Sequence, residues 1–361
     1  MRLPLERPSP DFDELAAVLK GDRSPRRVHF VEFAVDVEVI RYVVEHHLGH
    51  ERPAPGDETP EDALRLQVEF FHRMGYDYVP MWATWRNVPR LNALSAADTA
   101  GLSRGNRSWV DEHGGVIAGW EDLEAVRWDD ISYDLSALDY VAGILPDGMK
   151  MTVCGGVLFE MVLEVFLGYE GLFFLSQDEP ELVEAVFERW GQKMLDCYRE
   201  VVRHPAVGAI FHADDLGHKT GTLLSPAFLR KNVFPWFRKY ASLAHSAGKM
   251  CWLHSCGNLS AIMDDLIDDV RVDALHSYQD VIMPVGEFVS RYGNRIAALG
   301  GIDVDGLCRL SEEELRLYVR HTLDMCLPGR YALGSGNTVA NYIPPEHYLV
   351  MLDEGRRWTA S

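Results

Sequence analysis

The stretch SPAFLRKNVFPWFRKYASLAHSAGKMCWLHSCGN, residues 225–258, contains a complete helix-to-strand unit. Ser225 places a capping hydroxyl directly before a proline, which is typical of a helix start. Gly248 stands where the helical segment should end, and the apolar run after it predicts a short buried strand over 249–254. A helix that leads into a buried strand is the repeating unit of folds with a parallel sheet.

The same unit recurs along most of the chain, with amphipathic segments between most of the apolar runs. The candidate strands are 28–34, 77–83, 150–156, 207–213, 249–254, 272–277, 295–301 and 330–336. An eightfold strand–helix alternation favours a single (β/α)8 TIM-type barrel, an α/β fold, over an open doubly wound sheet. Residues 84–149 interrupt this alternation, and we expect them to form an insertion after the second strand that covers the barrel mouth. The whole of 1–361 is then one domain.

The composition restricts the partners of the chain. The 361 residues include 55 acidic and 35 basic ones, a formal net charge of −20 without a basic stripe, so neither nucleic acid nor an anionic membrane is expected as a partner. The six cysteines are scattered and do not suggest a disulfide scaffold. The first residues lack a signal-peptide core, and no apolar run approaches 18 residues, so we expect a cytoplasmic protein.

Two residues whose side chains commonly bind metals lie at the end of the predicted strand 249–254. Because side chains alternate along an extended chain, His254 and Cys256 should point to the same side, just beyond the strand end. A neutral imidazole and a thiolate are ligands that Zn²⁺ prefers. We therefore predict that His254 and Cys256 bind a metal. The alternative is a buried cysteine behind a hydrogen-bonded core histidine.

Other polar residues stand at the predicted carboxyl ends of strands, where the chemistry of such barrels collects. Asp214 and Asp215 are the predicted catalytic carboxylates. Adjacent residues cannot both point inward, so one should face the site while the other orients a loop or helix. The predicted substrate-binding residues are Glu32, Trp82, His212, His276, Asp303, Ser335 and Asn337. Each has an alternative role in an ion pair, the core or a helix cap.

At this point the chain resembles the uroporphyrinogen decarboxylase superfamily, whose barrels include zinc-dependent, corrinoid-linked methyltransferases. The resemblance runs over nearly the whole length. It is strongest in 214–258, then in GGIDVD (300–305) and YALGSGNTV (331–339), with further matches in FHRMGYDYVPMW (71–82) and VRWDD (126–130).

The haem-pathway decarboxylases carry an Arg-Gln-Ala-Gly-Arg signature after the first strand, and this chain has FVEFAVDVEVIRYV (30–43) there. Ser335 stands where those enzymes have a histidine in a Gly-His-Gly context. The methyltransferase branch is therefore the closer match. In that branch a His-x-Cys pair and a later cysteine bind zinc.

His254 and Cys256 match the pair, but no cysteine occurs at 334–337. The resemblance thus implies either no metal or an oxygen ligand, from Asp214, Asp215, Asp303 or Glu32. It also implies a methyltransferase that uses Zn²⁺ and a small methylated substrate, with a thiol or a corrinoid on a partner protein. A homodimer is compatible with this assignment. The alternatives are a metal-independent decarboxylase with an aspartate as proton donor, and a ligand-binding barrel without catalysis.

Overall fold

The computed structural model describes residues 3–50, 57–91, 93–110 and 114–358. Within these residues, seven parallel strands form one sheet in the order β1-β6-β7-β10-β11-β12-β13. Each lies inside a predicted range, and their order in the sheet follows the chain, so the TIM-type α/β fold is confirmed. The strands are β1 (Tyr78–Trp82), β6 (Lys150–Cys154), β7 (Val207–Ala213), β10 (Met250–His254), β11 (Ala274–His276), β12 (Ala297–Leu299) and β13 (Tyr331–Ala332).

Helices connect and surround these strands. They are α1 (Phe12–Lys20), α2 (Val37–His47), α3 (Pro60–Met74), α4 (Trp120–Ala125), α5 (Ser136–Ile144), α6 (Phe159–Met161), α7 (Tyr169–Asp178), α8 (Pro180–Val201), α9 (Pro226–Asn232), α10 (Phe234–Ser246), α11 (Val285–Tyr292), α12 (Val304–Arg309), α13 (Glu312–Cys326) and α14 (Pro345–Gly355). Short 3₁₀ and π segments lie at Trp128–Asp130, Val162–Phe166 and Asp265–Val270. No helix in the described ranges is long and apolar enough to cross a membrane.

The predicted cap at Ser225 is confirmed, since its side chain accepts the N–H of Phe228 at 3.2 Å. The helical segment that it begins is divided into α9 and α10. Pro235, the second residue of α10, has no N–H to continue the ladder of the preceding turn, which accounts for the division.

The first predicted strand, 28–34, is reduced to a single parallel bridge between Phe30 and Leu333. On its other side, this segment is linked to β1 by a side chain. The Tyr78 hydroxyl, at the start of β1, accepts the N–H of Glu32 at 2.9 Å and donates to its carbonyl at 2.7 Å. The Tyr78 phenol therefore links the first segment to β1. The expectation of eight full strands is corrected to seven strands and a bridging segment.

Alternate side chains of the strands fill the barrel interior. Tyr78, Phe211 and Trp252 belong to one fully buried cluster, and α1 packs Phe12 and Leu15 into the same cluster. Phe12 also lies against the backbone of Gly208, near the start of β7, so α1 closes the amino end of the barrel. The carboxyl ends of the strands remain available for chemistry, as is usual in barrels of this kind.

The segment after β1 contains β2 (Thr84–Arg86), which pairs with β5 (Ser132–Asp134), and a hairpin of β3 (Ala93–Ala97) and β4 (Asn106–Val110). A further small ribbon, β8 (Gly217–His218) with β9 (Gly221–Thr222), follows β7. Residue 92 and residues 111–113 of the predicted insertion lie outside the described residues. Helix α5 packs against α3 and so continues the barrel layer, which makes the inserted part shorter than 84–149. That the insertion covers the mouth stays a prediction.

Candidate metal centre

His254, Cys256 and Asp215 bring three potential ligand atoms within 4.8 Å of one another. His254 ends β10, Cys256 follows it in the next turn, and Asp215 lies two residues after β7. The Nε2 atom of His254 lies 3.6 Å from the Cys256 Sγ and 3.8 Å from an Asp215 carboxylate oxygen. The two residues predicted as metal ligands therefore converge, and one of the predicted catalytic carboxylates joins them.

The turns after β7 and β10 cross closely, and this crossing assembles the cluster. Gly257 adopts a φ of +89°, and a Cβ there would lie 2.2 Å from the backbone of Gly217. A residue with a side chain would separate the two turns. Across the same contact the backbone N–H of Cys256 donates to Asp215 at 2.8 Å, which holds the carboxylate beside the thiol.

The donor atoms fit a zinc ion in type and spacing. Ligands that bind a tetrahedral Zn²⁺ at about 2.0 Å (nitrogen) and 2.3 Å (sulfur) lie roughly 3.5 Å apart. The 3.6 Å between His254 Nε2 and Cys256 Sγ agrees with that spacing. Cys256 and Asp215 are only partly buried, so one side of the cluster is open, as in catalytic zinc sites.

Polar donors surround the Cys256 sulfur. The Asn337 amide donates to Sγ at 3.2 Å, and the Ser277 hydroxyl lies 3.7 Å away. Burial, and next the Asp215 carboxylate, raise the pKa of the thiol to about 12, although these two hydrogen bonds act in the opposite direction. Burial also raises the pKa of Asp215. A bound cation would favour the anionic form of both groups.

A second histidine supports His254 from behind. The Nδ1 atoms of His254 and His276 lie 2.7 Å apart, and Nε2 of His276 lies 3.2 Å from the Ser335 carbonyl. Burial lowers the pKa of His276 to about 4 and that of His254 well below its usual value. Both rings are therefore neutral at pH 7, as a metal-binding imidazole must be.

Glu32 and Ser335, predicted to bind substrate, contact each other instead. The N–H of Ser335 donates to Glu32 at 3.0 Å, and the Ser335 hydroxyl donates to its second oxygen. Both residues are fully buried. Burial raises the pKa of Glu32 to about 8 against the effect of these hydrogen bonds. The pair ties the first segment of the barrel to the last, and it is not placed to contact a substrate.

The remaining carboxylates cap helices. Asp214 is fully buried and accepts the N–H groups of Leu158, Phe159 and Glu160 at 2.8, 2.8 and 2.9 Å. Asp303 begins α12 and accepts backbone N–H groups from residues 280 and 305. Both are therefore removed from the group of possible metal ligands, as is Glu32.

His212 lies on the outer face of the sheet, contrary to the expectation that it binds substrate. Its Nδ1 lies 2.9 Å from the Tyr198 hydroxyl, and its ring packs on Phe237 and Tyr240 of the helix layer, at 4.6 and 5.4 Å between centroids. Phe211 fills the barrel interior, and the next residue of a strand must face the other way.

Aromatic rings line the open side of the cluster. Phe33 stacks on the His254 ring with 4.6 Å between centroids. Trp82, a predicted substrate-binding residue, meets Phe33 edge-on at 6.0 Å and is 40 % exposed at the end of β1. This wall is apolar and contacts the edge of the candidate site.

Sequence reasoning missed Glu160. It lies in α6, partly buried, and accepts the backbone N–H of Asp215 at 3.2 Å. Burial, and next the charges of Asp214 and Asp215, raise its pKa to about 8. The available signal was a glutamate in the apolar run GGVLFEMVLEVF, and it is a weak signal because Glu164 stands in the same run.

Sequence comparison identifies neither a matching family model nor a matching curated protein. Comparison of structures finds a methyltransferase from Methanosarcina mazei, 16% identical, with a TM-score of 0.66 over 95% of this chain and 97% of that chain. A candidate vitamin-B12-independent methionine synthase from Listeria monocytogenes is 11% identical, with a TM-score of 0.48 over 92% of this chain and 95% of that one. At these identities the likeness to the first shows a common barrel fold that extends over nearly the whole length of both chains.

Proposed function

We propose that this protein is a methyltransferase that works with Zn²⁺ bound by His254, Cys256 and Asp215. The observation that carries the proposal is the convergence of these three donors within 4.8 Å at the carboxyl end of the sheet. Asp215 takes the place of the cysteine that the resemblance leads one to expect near residue 335. The fold shared with a methyltransferase is consistent with the proposal.

Replacement of a cysteine by an aspartate preserves the charge of the ligand set. A thiolate and a carboxylate together carry two negative charges, as two thiolates do, and so neutralise a divalent ion in a partly buried site. The carboxylate is a harder ligand than a thiolate, and Zn²⁺, a borderline ion, accepts both. His254, already neutral, adds no charge.

When bound, the ion would lower the pKa of a substrate thiol or polarise the oxygen of a methyl ether. The residues of the chain orient and shield that chemistry. Asn337 and Ser277 hold the Cys256 sulfur in place through their hydrogen bonds. Phe33 and Trp82 form an apolar wall that suits a small methylated substrate and excludes water from one side.

The methyl group would pass to or from a corrinoid carried by a separate protein. We place that partner over the carboxyl end of the barrel, where Trp82 is exposed beside the site. This placement follows from the position of the donors, since a methyl group must travel directly between the substrate atom and the corrinoid.

Metal analysis of the purified protein tests the binding part of the proposal. We expect about one zinc ion per chain, lost in His254→Ala and in Cys256→Ala. Cys154→Ser is the matched control, because Cys154 ends the strand β6 on the same rim but is not a member of the donor cluster. An active wild-type protein without metal would contradict the proposal.

Methyl transfer from methylcobalamin to a panel of small thiols, and from methyl donors to reduced cobalamin, tests the catalytic part. Absorbance changes of the corrinoid report both directions. We expect transfer by the wild-type protein and a loss of about 100-fold or more in Cys256→Ala, because removal of a ligand should cost at least as much as the roughly 10–100-fold typical of its supporting residues. A zinc-loaded protein that transfers no methyl group in either direction would overturn this part while leaving the metal site intact.

A decarboxylase without metal is the second candidate, and one observation favours it. Glu160 and Asp215 both have a raised pKa, so carboxylic acids capable of proton donation lie side by side near the mouth. Release of CO₂ from a small carboxylic acid by zinc-free protein, abolished in Asp215→Asn, would establish this alternative.

A further inference from the structure

We infer that His276 is a positioning residue that fixes the tautomer of His254, so that the bare Nε2 of His254 faces Cys256 and Asp215. This role rests on the proposed metal site. It explains why the His254 nitrogen that faces the metal has a free lone pair. It depends on a chain of hydrogen bonds in which each member determines the proton position of the next.

The chain begins at the Ser335 carbonyl, which can only accept. Nε2 of His276 lies 3.2 Å from that oxygen and must therefore carry the proton. His276 is fully buried, and in the described contacts its ring meets Phe211, His254 and the Ser335 carbonyl but no carboxylate, so no counter-ion holds a second proton and the ring is neutral. A neutral imidazole has one N–H, so Nδ1 of His276 is bare.

The same logic applies to His254. Its Nδ1 lies 2.7 Å from the bare Nδ1 of His276, so His254 must donate there. His254 is also buried, packed between the Phe33 ring and the neutral His276, so it too carries a single proton and its Nε2 has a free lone pair. That atom is 3.6 Å from the Cys256 sulfur and 3.8 Å from Asp215, where a metal ion would take the lone pair.

Two features of the fold hold the start of this chain in place. Glu32 accepts hydrogen bonds from both the N–H and the hydroxyl of Ser335. These bonds fix the position of Ser335, and so of the carbonyl that accepts from His276. Gly300 has a φ of +80°, and a Cβ there would lie 2.2 Å from the Ser335 oxygen and 3.0 Å from His276 Nε2. A glycine is thus needed where the His276–Ser335 hydrogen bond passes.

The opposite tautomer of His254 would place two bare nitrogens opposite each other, or would require His276 to change tautomer as well, which would turn a bare Nε2 towards the Ser335 carbonyl, an acceptor. Either outcome leaves buried polar atoms unpaired, which is unfavourable. Loss of a residue that hydrogen-bonds a metal ligand in this way typically weakens metal binding about 10–100-fold.

Nitrogen-15 NMR of histidine-labelled, zinc-free protein tests the inference without any enzyme assay. We expect His254 to carry its proton on Nδ1 in the wild-type protein. In His276→Phe we expect a mixture of His254 tautomers. We also expect the zinc dissociation constant, measured by competition with a chelator, to rise about 10- to 100-fold. His276→Gln, whose amide offers one acceptor and one donor, should recover most of both properties.

His245→Phe is the matched control, because it also removes a hydrogen-bonded histidine, but one in α10 whose partner Asp273 precedes β11 and lies outside the donor cluster. It should leave the tautomer of His254 and the zinc affinity unchanged. A wild-type His254 protonated on Nε2, or unchanged tautomer and zinc affinity in both His276 variants, would overturn the inference. A protein that binds no zinc would defeat the proposed function, yet the NMR result would still decide the tautomer.

Discussion

The carboxylates of Asp214 and Asp215 serve different structures although the residues are adjacent in the chain. Asp214 accepts three backbone N–H groups at the start of α6, whereas Asp215 accepts the N–H of Cys256 and lies 3.8 Å from His254 Nε2. One carboxylate therefore supports the fold and its neighbour belongs to the candidate metal cluster. Variants of the two should separate stability from metal binding.

Asp214→Ala should lower the free energy of unfolding by about 3 kcal/mol or more, because it leaves buried N–H groups without an acceptor. Asp215→Ala should change the stability of the zinc-free protein by less than about 1 kcal/mol, since its side chain is partly exposed. Its zinc affinity should fall at least about 10-fold. Urea unfolding in EDTA and a chelator competition measure the two effects; equal destabilisation would contradict this division.

The barrel was predictable because a local pattern determined it. Seven of the apolar runs became strands where the sequence placed them, from 77–83 to 330–336. The segment 28–34 has the same composition, but its backbone at Glu32 bonds to the Tyr78 hydroxyl. A contact with a side chain 46 residues away leaves no periodic signal, so the sequence could not show that this segment would be only a bridge.

The site was predictable where spacing along one strand sufficed. His254 and Cys256 share one side of the chain, and the structure brings them together. The identity of the third donor depends on how two turns cross, at Gly217 and Gly257. The sequence pattern alone left four carboxylates as possible ligands. His212 was misplaced because every other residue of its strand is apolar or small, so alternation gave no indication of which face is inside.

Glu32→Gln should remove a pH dependence of stability. The pKa of Glu32 is about 8 in the folded protein and about 4.3 in an unfolded chain, so the folded state retains a proton that the unfolded state loses. Its contribution is complete below about pH 4.3 and is lost as the pH rises towards 8. Between pH 5 and 8 the wild-type protein should lose on the order of 3 kcal/mol more stability than Glu32→Gln.

Urea unfolding at several pH values measures this difference. The other carboxyl groups are the same in both proteins, so their contributions to the pH dependence cancel. Glu61→Gln, an exposed residue near the start of α3, is the control and should follow the wild-type curve. Parallel curves for the wild-type protein and Glu32→Gln would show that Glu32 is ionised in the folded state at pH 7.

Asn337→Ala should weaken zinc binding about 10-fold, because the Cys256 sulfur loses a donor at 3.2 Å. Ser277→Ala should have a smaller effect, since that contact is 3.7 Å long. Chelator competition gives both dissociation constants, and weaker zinc binding in Ser277→Ala than in Asn337→Ala would argue against this account of the sulfur.

Asp98→Ala should loosen the β3–β4 hairpin without unfolding the barrel. The Asp98 carboxylate accepts the N–H groups of Ala100 and Arg104 and the amide of Asn341 at 2.8 to 3.1 Å. We expect faster amide hydrogen exchange within 98–105 and unchanged exchange in β10. Equal acceleration in both would show that the hairpin and the barrel open together.

X-ray absorption spectroscopy of the zinc-loaded protein tests the central claim most directly, because it counts the atoms around the ion. The account predicts one sulfur at about 2.3 Å and nitrogen or oxygen ligands at about 2.0–2.1 Å, with the sulfur lost in Cys256→Ser. A spectrum with no sulfur, or with two or more, would contradict the assignment of His254, Cys256 and Asp215 as the metal centre.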